Sequence, residues 1–411
     1  MKFPRILVGT TVLGILAAIT TACGGGGGSS RFIQPINPPP PPTGTNYTTC
    51  NSQQVPNWQS SLFVSPYQTA ISDVVNKYGA DSRVEYIRVG LGRGGEINLP
   101  QGWNSSSSGS CYGGYSGKWS YTVGGSSPNS STWNTYLSDM VTFEGALQSA
   151  NPLLVSITPV SGASPSTVTD DFIAPIAVSN HMSFGNQGLE SSDITNFPSC
   201  GGDWCDLFAQ YHPAIAELQT LGQSCPSGTT CVSSMATSTG PLDSLLPFAT
   251  AHGANDLELY YQDWLIAFDS DYANSVGASA STAAYAAAIQ AAAATGARMQ
   301  VLFPPQSTDN TSCGSQSCYQ AVQQLLSNPY VTGFVIDVDW SDFQPNNGTD
   351  APDWTITEAA ISQWAQSGKK VVLVLQNTTY GGSGSCPNGI GSNGNVASNC
   401  AMPAWMWTVL Q

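Results

Sequence analysis

The chain contains only seven glutamates, at positions 85, 96, 144, 190, 217, 258 and 358. Three lie at or within the functional halves of short apolar runs that read as strands: Glu96 after Val89-GLGRGG, Glu217 within Ala214-IAELQT and Glu258 within Asp256-LELYYQDW. Carboxyl groups delivered from separate strands to one cleft can divide acid–base and nucleophilic work. One protonates a leaving oxygen while the other attacks a carbon or activates water, and in retaining glycoside cleavage the two stand about 5 to 5.5 Å apart. The acid must hold its proton near neutral pH while its partner stays ionised; mutual repulsion raises the one, and a neighbouring cation such as Arg88 or Arg93 holds down the other. Each glutamate also has a plainer reading. Glu96 fits a solvated loop, Glu217 fits a helix surface because YHPAIAELQTL carries helical spacing, and Glu258 fits a structural partner of a buried arginine such as Arg88.

Other chemistries find little support. His181, His212 and His252 are scattered and form no HExxH pattern. Gly90-LGRG-Gly95 matches the spacing of a dinucleotide loop, but EINLPQGW follows instead of a helix, so no helix N-terminus is offered to a pyrophosphate. These glycines suit a sharp turn or a close backbone approach. No G-x-S-x-G elbow is present, which argues against an esterase. Cys200-GGDW-Cys205 lacks a second pair at zinc spacing, so neither metal nor cofactor is expected.

Short apolar runs alternate with helical stretches, the pattern of a parallel sheet. The strand candidates are Val84 to Gly92, Leu153 to Ser161, His181 to Leu189, Ala214 to Thr220, Asp256 to Phe268, Arg298 to Pro304, Val331 to Trp340 and Lys370 to Asn377. Helices are expected over Tyr67 to Tyr78, Trp133 to Ser149, Ser281 to Ala294, Cys318 to Ser327 and Thr357 to Ser367. Such repetition predicts an α/β fold, a (β/α)8 TIM-type barrel whose chemistry sits where strands end and loops begin. Tyr260, Tyr261, Trp264 and Trp340, near those ends, are candidates to stack on sugar rings, or else packing residues of the barrel.

The segment Val331-TGFVIDVDWSDFQPNNG, then Trp354 to Ser367, then Gly368-KKVVLVLQN, resembles the second and third strands of retaining glycoside hydrolases of the clan A barrel type. Tyr86-IRVGLGRGGE resembles their fourth strand, although it lies near the N-terminus. The resemblance implies a circular permutation, with strands four to eight first and one to three last; Pro403-AWMWTVLQ and Gln54-VPNWQSSLF read as the rejoined ends. An unpermuted barrel in written order is the competing reading. Under the permuted count the resemblance makes Glu96 the acid/base and Glu217 the nucleophile, with Glu258 on strand eight supporting substrate. Gly95 stands where those enzymes carry an Asn that contacts the sugar 2-hydroxyl, so that contact is expected to pass to Asn186 and Gln187. Arg93, Tyr260 and Trp340 complete the expected substrate set. The implied activity is retaining hydrolysis of a β-linked oligo- or polysaccharide; a noncatalytic carbohydrate-binding protein on the same barrel is the alternative.

The remainder of the chain suggests where such a barrel works. Lys2 and Arg5 precede an apolar run from Ile6 to Ile19, the form of a signal peptide, and Thr20-Thr21-Ala22-Cys23 resembles a bacterial lipobox. Residues 1–22 are expected to be removed, Cys23 to be lipidated, and residues 23–45, rich in Gly, Ser and Pro, to form a tether to a barrel spanning 46–411. The expected location is the cell envelope, facing the periplasm or the exterior. Ten further cysteines suit an oxidising compartment, and Cys200/Cys205, Cys225/Cys231 and Cys313/Cys318 are spaced to close small loops, leaving Cys50, Cys111, Cys386 and Cys400 for longer bridges. A formal net charge of -15 argues against nucleic-acid partners. With only 9% charged residues, and with Trp 11 and Tyr 16, the surface is compatible with glycans.

Overall fold

The computed structural model describes residues 46–50, 53–92, 95–97, 132–157, 170–196, 204–226, 234–307, 311–344, 346–377 and 401–410. Its centre is a closed barrel of eight parallel strands. In chain order they are β1 (Val84–Val89), β2 (Leu153–Ser156), β3 (Ser183–Leu189), β4 (Ala216–Thr220), β5 (Asp256–Tyr260), β6 (Arg298–Leu302), β7 (Gly333–Asp339) and β8 (Lys370–Gln376). Each strand pairs with its neighbours in sequence, and β8 closes the ring on β1 through Val372 opposite Tyr86 and Val374 opposite Arg88. The fold is an α/β barrel of the TIM type.

The strands form because both of their faces are buried, which favours nearly continuous apolar runs such as Val371-VLVL-Leu375 in β8. One face packs on helices and the other fills the barrel. Helix α1 (Ser61–Tyr78) shows how the outer layer is specified. Ser60 caps it by accepting from the Leu62 amide at 3.3 Å, and Phe63, Tyr67, Ala70, Ile71, Val74 and Tyr78 recur at helical spacing as its buried stripe. The other expected helices are present as α2 (Thr132–Gly145), α3 (Thr282–Ala294), α4 (Cys318–Gln324) and α5 (Thr355–Trp364).

All eight strand candidates are strands, including Ala214 to Thr220, for which helix was the rival. The long run Asp256 to Phe268 requires correction: β5 ends at Tyr260, and Tyr261–Phe268 is a helix. Alternation holds through Asp256-LEL-Tyr260 and then gives way to a helical turn, in which Trp264 folds back so that its indole donates to the Gln300 carbonyl at 3.2 Å. The Cys313–Cys318 disulfide is formed, and Cys205 and Cys225 are each disulfide-bonded. Cys23, Cys50, Cys111, Cys200, Cys231, Cys386 and Cys400, like the signal and tether segments, carry expectations that fall on side chains outside those described. Among the described residues no helix is long and apolar enough to cross a membrane. The ends of the barrel domain meet, the Asn46 amide donating to the Leu410 carbonyl at 2.9 Å.

Inside the ring, Tyr86, Leu154, Ile215, Leu302, Val335, Val372 and Val374 form an apolar cluster separate from the larger core between strands and helices. The rest of the interior is polar. Gly185 of β3 lies opposite Glu217 of β4, and a Cβ at this position would overlap the Glu217 carboxylate and come within 2.7 Å of its Cβ. We expect Gly185→Ala to cost about 1–3 kcal/mol or more by overpacking, read as a lower urea midpoint with an unchanged m-value.

Candidate functional site

The polar interior is organised by Arg88, whose place is set by strand alternation. Tyr86 and Arg88 point inward from β1, alternating with outward Ile87 and Val89 of the main core. Arg88 is 2% exposed, and its Nη1 stands 2.9 Å from Glu258 Oε2 and 3.2 Å from Glu217 Oε1, so two fully buried carboxylates share one guanidinium nitrogen. Arg88 Nη2 donates to Gln219 Oε1 at 3.3 Å. Tyr86 donates to Glu258 Oε1 at 2.9 Å and lies 3.2 Å from Asp256 Oδ1, while Arg298 Nε donates to Asp256 Oδ2 at 2.9 Å. Gln187 Nε2 donates to Glu217 Oε2, and Ser156 Oγ donates to Gln187 Oε1.

Three buried carboxyl groups thus face one buried and one partly exposed guanidinium. Burial, followed by the charge of Glu258, raises the Glu217 carboxyl well above its ordinary value against the opposing pull of Arg88. Burial pushes Asp256 up to about 7, with Arg298 opposing. This interior favours keeping a proton. Desolvation outweighs the ion pairing for these two groups, as is common for charges taken out of water.

Above this layer, at the C-terminal ends of the strands, lies the mouth. Asp337 and Asp339 alternate with Ile336 and Val338, which belong to the outer core, so both acids face into the ring. Asp337 is nevertheless exposed, and an inward-facing strand residue reached by water marks an open depression. Protein surrounds its carboxyl on the other sides. Burial pushes it up to about 6, while a hydrogen bond from Gln376 and the charge of Arg88 act in the opposite sense. Asp342, on the helical turn Trp340–Phe343 after β7, is likewise pushed up to about 6 by burial, and Asp339 is raised well above its usual range by burial and then by Asp342 and Asp337. Tyr260 ends β5 half-buried, its ring edge-on to Phe303 at 5.8 Å. Burial first, then the charges of Glu96, Asp263, Asp337 and Glu258, push its hydroxyl up to about 12. Glu96 and Asp337 thus both contribute to the field at this phenol. Phe303 itself has φ 50, an uncommon backbone state for a bulky residue and one that clusters at functional sites.

The expected site residues divide between these levels. Glu96 is 7% exposed in a tight turn after β1, where the Gly92 amide donates to the Glu96 carbonyl at 2.6 Å. The glycines make this turn possible: Gly95 has φ +75, and a Cβ on Gly90 would come within 2.6 Å of Gly95 Cα. Glu217 is on a strand and fully buried, a support beneath the mouth in this structure, and Glu258 is the structural partner of Arg88. Gln187 is engaged with Ser156 and Glu217, whereas Asn186 is 4% exposed with Oδ1 lacking a partner. Trp340, expected on a sugar, is 0% exposed and packs at 5.4 Å from Tyr67 with its indole donating to Gln344, so its surface is occupied by the core. Arg93 lies outside the described residues. Asp337, Asp339 and Asp342 were missed; the available signal was Asp-x-Asp inside an apolar strand, which puts two acids on one face.

This geometry defines the class, an eight-stranded parallel barrel of the TIM type, with Asp337 water-reachable at the C-terminal end of its strands among the described residues. No protein-family model matches the chain, nor does any curated protein. Among the described residues no group of three His, Cys, Asp or Glu side chains is arranged to hold a metal ion.

Asp256, Asp263, Asp337 and Asp342 titrate in the folded chain near 7, 7, 6 and 6. Unfolded, each titrates near 4. The folded state therefore holds more protons between those limits, and the stability they contribute, fully present below about pH 4, is lost as pH rises through about 7. We expect a higher urea midpoint near pH 5 than near pH 7.5. Arg88→Met should cost about 3–5 kcal/mol at neutral pH by leaving buried carboxylates uncompensated, and less near pH 5, where protonation removes that charge.

Proposed function

We propose that this protein is an exported, lipid-anchored glycoside hydrolase that cleaves a glycan at the barrel mouth. The observation that carries the reading is Asp337, a carboxyl facing into the ring from the C-terminal half of β7 yet open to water. A carboxyl titrating near 6 is mostly ionised at neutral pH and serves as nucleophile, while Glu96 serves as the acid/base that protonates the leaving oxygen and then activates water. Attack by Asp337 forms a glycosyl ester as the C–O bond to the leaving group breaks; water then releases the sugar and returns the proton to Glu96. Arg88 and Glu258 act on Asp337 from below, and Glu217 holds Arg88 in place. This assignment replaces the Glu96–Glu217 pair read from the sequence, because Glu217 has no accessible surface from which to reach a sugar.

Permutation of a clan A barrel is part of the same proposal. A closed ring whose strands follow chain order looks alike from any starting strand, and adjoining ends make such rewiring tolerable.

The test is a screen of chromogenic glycosides and polysaccharides, then trapping with a fluorosugar and mapping of the labelled peptide. A label on Asp337, with Glu96→Gln and Asp337→Asn each lowering kcat by about a hundredfold or more in folded protein, is the expected result. A label on Glu217 would restore the pair read from the sequence. Binding of glycans without turnover would instead establish a carbohydrate-binding protein.

A further inference from the structure

The base of the ring, where the strands begin, encloses a carboxyl that the proposed chemistry does not use. Asp256 opens β5, fully buried, and turns inward with Glu258 while Leu257 and Leu259 face the outer core. The connections leading into all eight strands are among the described residues. From β6, Arg298 Nε donates to Asp256 Oδ2 at 2.9 Å, and Gln300 Nε2 donates to the same oxygen at 3.3 Å. From β4, Glu217 stands in register with Asp256, its carboxyl turned toward Arg88 of β1. Glu85 of β1 lies 3.5 Å from Arg298 Nη1 and 3.0 Å from Lys370 of β8, and Asp337 of β7 lies beyond Arg88 toward the mouth.

Two features of this layer require a proton that the side chains, all ionised, would lack. The first is charge. Glu217, Glu258 and Asp256 are three buried carboxyls, whereas Arg88 and Arg298 supply two guanidiniums, and Arg298, with its side chain 29% exposed, is shared with Glu85. The second is the Tyr86 hydroxyl, which stands 2.9 Å from Glu258 Oε1 and 3.2 Å from Asp256 Oδ1. A hydroxyl carries one hydrogen and can serve only one of these acceptors. If it donates to Glu258, the Asp256 oxygen bonds to it only by bringing a hydrogen of its own, and otherwise faces the phenolic lone pairs. Asp256 suits that role. Its Oδ2 is already held by two donors, and a hydrogen on Oδ1 finds the Tyr86 oxygen as acceptor. Glu217 offers no such place, since its oxygens face donors, Arg88 Nη1 and Gln187 Nε2. Burial pushes Asp256 up to about 7 against the pull of Arg298, with the charge of Glu258 adding to the rise.

We propose that one proton shared by Asp256, Tyr86 and Glu258 is a latch on the barrel base. Held, it joins β1, β5 and, through Arg298, β6 in a single network. Released to water, it leaves two carboxylates facing one hydroxyl and loosens the beginnings of these strands. The latch is independent of what the mouth binds or cleaves, so it stands or falls apart from the hydrolase reading.

Closed, Asp256 titrates near 7; opened, it titrates near 4. The closed base therefore holds the extra proton between those limits, and the stability it adds, fully present below about pH 4, is lost as pH rises through about 7. Amide hydrogen exchange, corrected for its intrinsic pH dependence, is measured on the full-length protein in detergent between about pH 5 and about pH 8. Protection at the first residues of β1, β5 and β6 should fall at least about tenfold over that range, with much less change at the last residues of the same strands. In Asp256→Asn the amide reproduces the protonated acid, its nitrogen donating to Tyr86 and its oxygen accepting from Arg298 and Gln300. Protection at the base should then stay near the wild-type acid value throughout. Lower protection than wild type near pH 5, or failure of the variant to fold, would show that Arg298 requires the carboxylate and would overturn the latch. So would a wild-type pH dependence that is the same at both ends of the strands, a comparison that needs no variant.

Discussion

A single buried guanidinium holds the interior of this barrel together. Arg88 crosses the ring from β1 to β4 and β5, where it meets Glu217 and Glu258, neither of which has solvent of its own. Burying such charges costs more than their attraction returns unless the remaining lone pairs are also satisfied. The surrounding hydrogen bonds do part of this: Tyr86 serves Glu258, Gln187 serves Glu217, and Gln219 accepts from Arg88, while Arg88 Nε and Glu217 Oε1 are left without a hydrogen bond. Gly185 supplies the room, because any side chain on that part of β3 would intrude on the Glu217 carboxylate. Many barrels of this type fill the same volume with branched apolar residues. Here half of the interior gives up that packing to hold a charged layer in one geometry.

The charged layer also conditions what lies above it. Arg88 draws the Asp337 carboxyl toward its ionised form while Glu258 pushes the other way, so the water-facing acid at the mouth is balanced by groups that never touch solvent. Beyond it burial holds the Asp339 and Asp342 carboxyls above their usual range, and among the described residues neither forms an ion pair. The base has the opposite character, its acids paired across strand beginnings and helix ends. Paired surface charges and the water-facing Asp337 therefore stand at opposite ends of the strands, with the Arg88 layer between them.

Much of the fold was legible because it depends on short-range periodicity. Runs such as Lys370-VVLVLQ are apolar on both faces, a demand that parallel strands covered by helices impose, and α1 announces itself through its Ser60 cap and its stripe of Tyr67, Ile71, Val74 and Tyr78. Less legible was the division of Asp256 to Phe268, where both periods share one apolar run and the strand yields to a helix at Tyr261. The local spacing of Cys313 and Cys318 matched a formed disulfide because only a tight turn separates them.

For the site, residue types and spacing determined which side chains stand on strands: Glu217 and Glu258 within them, Glu96 just past one, and Asp337 and Asp339 two apart on a common face. They did not determine height within the ring or access to water. Those depend on the register between strands far apart in the chain, which puts Glu217 opposite Asp256, Asp339 opposite Gln376, and Arg88 within reach of β4 and β5. A carboxylate looks the same in sequence whether water or an arginine stands beside it. Tertiary structure alone decided that Glu217 and Glu258 belong to a buried ion network, that Trp340 belongs to the core, and that Asp337 is open at the mouth, because burial is a property of the closed ring and not of any segment in it.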